Sequence, residues 1–434
     1  MASKKSRAKM TKQQRALLHK KKMRRRIILL IVEIILLLLL GAAAYAMTKF
    51  DKLDYKQLDT SNLEIYQDTG EFTNIALFGL DSREGELEGG VRSDTIMIAS
   101  INNKTKEVKI VSVFRDMLSQ QQDGTYEKAN AAYSFGGPEE AIALLNRNLD
   151  LDIQKYMSVN FNALADVIDL LGGIEIDLTG EEAYYVNGYS TETSKVVGRE
   201  TTLLDHDGLQ TLDGIQAVSY ARIRYTEGND FKRAERQRTV LEKVVEKAKK
   251  AKLSTLNNII DKVLPQVSTN LSASDFIGLA SSAVSYNIGE MTGFPFDVTT
   301  SEDVIGLEGS YVVPIGFADN VSQLHKFLFG VEDYKVSSKV EQVDQDVAYL
   351  TGIAGEYTYS SGSGDSGSGY TDGNSDAGSG YTDESGYSGS GYTDGSGYSD
   401  SGYTDESGYS DSGYTDGGSY SDNGYGSSDG YTYE

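Results

Sequence analysis

The chain has 434 residues and a formal net charge of −23, from 64 acidic against 41 basic side chains. It has no cysteine, so neither a disulfide framework nor a thiolate zinc site is available, and histidines at 19, 206 and 325 are too scattered to suggest a metal cluster. Residues 1–26 hold twelve Lys or Arg and no acid, whereas residues 356–434 hold fifteen Asp or Glu and no base, so the chain reads as three regimes and not one globule.

In chain order, 1–26 reads as a basic cytoplasmic segment. The run 27–47, IILLIVEIILLLLLGAAAYAM, has about the ~20 residues that a bilayer-spanning helix requires. Its basic flank ending RRR predicts a cytoplasmic N-terminus and an extracytoplasmic bulk. Glu33 within it reads as a tolerated charge near the helix start. Ala44-Tyr45-Ala46 also fits a cleaved signal peptide, but an uncleaved anchor is the preferred reading. A DNA-binding arm would need a fold behind the basic stretch, and the apolar run starts at once.

After a linker at 48–71, residues 72–330 read as one α/β domain with a central sheet flanked by helices. Strands are predicted at 74–80 (NIALFGL), 95–101 (TIMIASI), 108–114 (VKIVSVF), 173–178 and about 311–316. Helices are predicted at about 138–149, opened by Pro138-Glu139-Glu140, and at 162–171, 230–252, 254–264, 273–286 and 318–329. The apolar positions Leu164, Val167, Ile168 and Leu171 are expected to pack in the core, though they could line a lipid pocket. A second linker at 331–368 precedes six eleven-residue units over 369–434, with tyrosine recurring from Tyr370 to Tyr425. Gly, Ser and Asp at that density cannot bury enough apolar surface to offset chain entropy, so a disordered tail is expected. It reads as a solvated spacer, or as a Tyr-studded segment that stacks on sugars or binds a partner.

The chemistry sits at strand ends. Asp81 follows the first strand, Arg92-Ser93-Asp94 opens the second, and Arg115-Asp116 ends the third. Arg222-Ile223-Arg224 has the spacing that, in an extended segment, points both guanidiniums one way. Arg233 and Gln237, four apart on a helix, share a face. Guanidinium groups match the oxygens of a diphosphate with paired donors, and two carboxylates can hold Mg²⁺ between them. Asp81, Arg92, Asp94, Arg115, Arg222, Arg224 and Arg233 together therefore look like a cradle for a pyrophosphate and its metal ion.

The stretches GLDSR (79–83), RSDTIMIASI (92–101), SVFRD (112–116), KANAAYSFGG (128–137), VNF (159–161), LLGGIEI (170–176), LDGIQAVSYARIR (212–224) and DFKRAERQ (230–237) resemble the LytR-CpsA-Psr family of cell-envelope proteins. Departures are Phe114, where members commonly have proline, and Ser219, where leucine or alanine is usual. The resemblance implies a central mixed β-sheet with an apolar pocket for a lipid tail. It also implies a Mg²⁺-dependent phosphotransferase that moves a phosphosugar polymer, such as teichoic acid or capsular polysaccharide, from polyprenyl pyrophosphate to peptidoglycan. By motif position Asp81 and Asp94 would share Mg²⁺, with Mn²⁺ as the alternative. Arg92, Arg115, Arg222, Arg224, Arg233 and Gln237 would grip the pyrophosphate. Asp81, Asp94 and Arg115 form the expected catalytic set, and Asp81, then Asp116, is the expected proton acceptor. A Gram-positive-type cell membrane is the implied location. The competing readings are an envelope transcriptional regulator, a non-enzymatic adhesion protein acting through the tail, and plain pyrophosphate hydrolysis.

Overall fold

Strand-forming runs with buried residues on both faces converge on one twisted sheet in the computed structural model, which describes residues 47–66, 69–80, 90–226, 229–283 and 285–355. The strands are β1 (Asp54–Tyr55), β2 (Phe72–Leu80), β3 (Ser93–Asn102), β4 (Glu107–Val113), β5 (Leu118–Gln120), β6 (Tyr126–Lys128), β7 (Lys155–Asn160), β8 (Ile174–Leu178), β9 (Gly208–Leu212), β10 (Val267–Thr269), β11 (Asn287–Phe294), β12 (Val298–Ser301) and β13 (Tyr311–Pro314). The helices are α1 (Ala131–Leu149), α2 (Phe161–Leu170), α3 (Gly180–Val197), α4 (Gly214–Arg222), α5 (Asn229–Lys250), α6 (Leu253–Val263), α7 (Ala273–Ser282), α8 (Phe317–Phe329) and α9 (Ser338–Thr351). The apolar run at 27–47 lies outside the described residues except for Met47, and the repeat tail lies wholly outside them. Among the described residues no helix is long and apolar enough to cross a membrane.

The main sheet is mixed, in the order β1-β10-β7-β2-β3-β4-β11. β2 is antiparallel to β3 and β3 to β4, whereas β7 runs parallel to β2 and β11 parallel to β4. The carboxyl ends of β2, β4, β7 and β11 therefore share one edge with the start of β3. There Leu80 pairs with both Ser93 and Asn160, and Phe294 with Val113. Alternating side chains feed two apolar layers. Ala76, Phe78, Ile98 and Val111 meet Leu144 of α1, Leu324 of α8 and Val343 of α9. On the opposite face Ile75, Met97 and Ile110 meet Leu241 of α5 and Leu279 of α7.

Several sequence expectations change here. Strand 173–178 forms, after Gly172 and Gly173 turn with φ of 79° and 80°, but it pairs with β9 in a separate ribbon. The predicted strand at 311–316 likewise pairs with β12 outside the main sheet. The two presumed linkers are partly structured. In 48–71, Leu63 is fully buried and β1 pairs with β10. In 331–368, α9 packs Val340, Val343 and Val347 into the core. Helix α1 begins seven residues before Pro138 but breaks at Gly136 and Gly137, so Pro138 still opens its regular part. Ile168 is buried, with Leu164 against it, in a second cluster formed by the β8–β9 ribbon and α2 to α5.

Candidate active site

Arg115 leaves the carboxyl end of β4 and is enclosed by acids. Its Nη1 donates to Asp94 Oδ1 at 2.7 Å and its Nε to Asp116 Oδ2 at 3.1 Å, with Asp230 Oδ1 3.8 Å away. Burial opposes the charge of Arg115, but the three carboxylates outweigh it and raise its pKa. Asp116 is also buried, yet Arg115, Lys128 at 3.3 Å and Arg233 hold its carboxyl below the usual range. With Oδ2 on Arg115 and Oδ1 facing Lys128, Asp116 acts in this structure as the counter-ion of both cations.

Asp94 opens β3 and binds a second arginine, its Oδ2 lying 3.5 Å from Arg224. Arg224 sits on the turn after α4. That turn is clamped by Arg236 of α5, whose Nη2 donates to Thr226 Oγ1 at 2.8 Å and whose Nε donates to Glu182 at 2.9 Å. Arg233, one turn earlier on α5, is 4% exposed. Its Nη2 lies 2.9 Å from Asp230, while Nε and Nη1 have no hydrogen-bond partner among the described residues. Burial first, then Arg115 and Arg224, push its pKa down to about 10. Asymmetric compensation explains the opposite shifts of the two arginines: Arg115 lies within 4 Å of three carboxylates, whereas Arg233 makes a close ion pair with Asp230, is the more deeply buried, and is opposed by Arg115 and Arg224.

Arg222 departs from expectation. It is the last residue of a helix and not part of an extended segment, so the two-residue spacing separates the two guanidiniums. That of Arg222 lies over the Phe161 ring at 5.0 Å and donates to Thr193 Oγ1 at 3.0 Å, while Arg224 turns to Asp94. Arg92 is exposed beside the start of β3, and its charge acts on Tyr311. Gln237 is half-buried one turn beyond Arg233. Asp81 lies outside the described residues; Leu80, immediately before it, pairs with Ser93, immediately before Asp94. No group of three or more acidic or histidine side chains able to hold a metal occurs among the described residues.

The structure adds Asp230 and Lys128 to the site. Asp230 was legible in DFKRAERQ as an acid three residues before Arg233, a spacing that pairs charges on a helix. Both departures from the family pattern touch the site's supports. Phe114 donates its N–H to the Phe294 carbonyl at 3.0 Å, which proline could not do, and packs edge-on against Phe231 of α5. Ser219 Oγ lies 3.0 Å from Thr193 Oγ1, the group that receives Arg222. Gly214, which opens α4, packs so closely on α2 that a Cβ would overlap the Ala165 carbonyl.

The LytR_cpsA_psr family model matches residues 40–323. The chain belongs to this family. Its relatives include the polyisoprenyl-teichoic acid–peptidoglycan teichoic acid transferase TagU of Enterococcus faecalis, 32% identical over 211 residues, 48% of this chain and 64% of that protein. The chain thus matches less than two thirds of that relative's length. TagT of Bacillus subtilis, which carries the same transferase name, is 27% identical over 230 residues, 52% of this chain and 69% of that protein. A solved structure of the LytR-CPS2A-psr family protein YwtF (TagT) with bound octaprenyl pyrophosphate lipid aligns with TM-score 0.42 and 21% identity, covering 69% of this chain and 94% of that one.

Proposed function

We propose that this chain is a membrane-anchored ligase that transfers a phosphosugar polymer of the teichoic acid class from polyprenyl pyrophosphate to peptidoglycan. The observation that carries this reading is Arg233: a buried guanidinium with two nitrogens unpartnered among the described residues, held beside Arg115 and Arg224 at the shared strand edge. Such a site favours an anion with oxygens in more than one direction. The family relatives named as teichoic acid transferases supply the substrate class.

Transfer of this kind depends mainly on positioning and on neutralising phosphate charge. Arg115, Arg224 and Arg233 would bind the diphosphate oxygens, with Arg92 at the exposed rim. Asp94 with Asp81 would hold Mg²⁺, since oxygen-only donors suit Mg²⁺ or Mn²⁺ and register brings their strand neighbours together. The metal would supply further charge neutralisation at the phosphates. Both Asp94 oxygens lie near arginines, so taking up the ion requires exchange of at least one contact. Asp81 is the proposed acceptor of the hydroxyl proton. The anchor at 27–47 would hold the domain near its lipid-linked donor at high effective concentration.

The test is turnover of a polyprenyl-pyrophosphate-linked glycan by the full chain in detergent, with peptidoglycan oligomers and Mg²⁺. Linked product and released polyprenyl phosphate are expected, and Arg115→Ala should lose both by roughly 100-fold or more. A loss of only a few-fold would overturn the arginine assignment. Released lipid without linked product would leave hydrolysis as the activity.

A further inference from the structure

A cavity of about 630 Å³ lies between the β5–β6 hairpin and the bent start of α1, and the chemistry described so far does not use it. Its walls include Gln121, Asp123, Glu127, Phe135, Glu139 and Glu140, and none of its lining residues is a lysine or arginine. We infer that this cavity is the acceptor subsite, taking an uncharged saccharide segment that offers hydroxyl and amide N–H donors; the inference rests on the ligase reading.

Three independent observations support it. Gln121 is 4% exposed and its Oε1 has no hydrogen-bond partner among the described residues, although its Nε2 reaches the Ser119 and Glu127 carbonyls. Buried acceptors are rarely left unmatched, and a hydroxyl or amide N–H would match this one. Phe135, one of the lining residues, is 69% exposed, and such an apolar ring can cover the C–H face of a sugar. Gly136 and Gly137 break the helix just after it, and a Cβ at Gly136 would clash with the Glu140 side chain, so the bend is built into the sequence.

Charge sorts the two substrates. Carboxylates around the cavity repel a polyanionic donor, which the arginines attract, and leave the cavity to a neutral glycan. The two places are joined by short contacts. Tyr311 donates to Glu127 Oε1 at 3.1 Å, Lys128 Nζ lies 5.2 Å from the Tyr311 ring centre and 3.3 Å from Asp116, and Asp116 accepts from Arg115. On the same side Gly90, three residues before β3, donates its N–H to the Ser134 carbonyl next to Phe135 at 3.0 Å.

The experiment uses the full chain in detergent with the lipid-linked donor and, as acceptor, peptidoglycan glycan strands stripped of stem peptides and with the exposed lactyl carboxylates capped as amides, so that the probe is uncharged. Phe135→Ala should raise the acceptor KM about tenfold, leave the donor KM and kcat at saturating acceptor unchanged, and be rescued by Phe135→Tyr. Calorimetry with the same strands and no donor should show the same loss of affinity. An unchanged acceptor KM, or a response only to strands that carry stem peptides, would overturn the inference. If the wild-type chain transfers nothing, the ligase reading fails, and the calorimetric comparison still decides what the cavity binds.

Discussion

Arg233→Met should make the ligand-free protein more stable while destroying its response to pyrophosphate. The guanidinium is nearly fully buried, with two donors unpartnered among the described residues and Arg115 and Arg224 as like-charged neighbours. A pKa lowered from 12.5 to about 10 means that the charged form is disfavoured in the folded chain by about 3 kcal/mol. Because the folded value is the lower one, this penalty is complete below about pH 10 and fades as pH rises beyond it. Methionine removes the charge and keeps much of the apolar stem. The substitution loses the contact with Asp230, but that carboxylate is 30% exposed and rehydrates, so the loss is about 1 kcal/mol or less. A net gain of about 2 kcal/mol should raise Tm by roughly 4–8 °C at neutral pH. Thermal melts of both proteins with and without inorganic pyrophosphate and Mg²⁺ test this: added pyrophosphate should stabilise the wild type alone. A variant that melts below wild type without ligand would refute the reasoning, because it would show that Arg233 supports the fold.

Two further predictions concern the scaffold. Arg147 is buried on α1, where it binds Glu64 at 2.6 Å, Glu140 at 3.3 Å and the Gln120 carbonyl at 3.0 Å; Arg147→Met leaves Glu140 without its cation and should lose about 3 kcal/mol in urea unfolding, with Glu140→Gln recovering part of it. A loss under about 1 kcal/mol would show that the buried pair contributes little net stability. His325 donates from Nε2 to the Leu149 carbonyl at 3.0 Å and stacks on Tyr334, and burial pushes its pKa down to about 4. The folded value lies below the unfolded 6.5, so the unfolded chain takes up a proton first, and up to about 3 kcal/mol of stability is lost as pH falls from 6.5 toward 4. Unfolding curves of His325→Gln across that range should be flatter than those of wild type.

The three central strands were legible because β-rich runs end in charged residues, and the same ends marked Asp94 and Arg115. The orientation of Arg222 was not, because eight of the nine residues of α4 are buried, leaving no polar face whose period would announce a helix. The extended reading of Arg222-Ile223-Arg224, with both guanidiniums pointing one way, fails at this helix end. Helix α9 does carry a period, with Val340, Val343 and Val347 at the spacing of one buried stripe. It lies within 331–368, the stretch expected to be a linker. Lys128 and Asp230 lay within quoted motifs, but their roles depend on contacts with Asp116 and Arg115 across distant strands, which spacing alone does not show.

The ring of carboxylates around Arg115 has a consequence for the rhythm of turnover. Asp94, Asp116 and Asp230 occupy the guanidinium's neighbourhood as an internal salt, so under the proposed function a diphosphate would enter by exchange with resident anions and not by filling open space. The same anions would reclaim Arg115 once a bound phosphate left. A site made of bare arginines would hold its product tightly; this one carries its own displacing ions, tethered at fixed distance and independent of the salt outside.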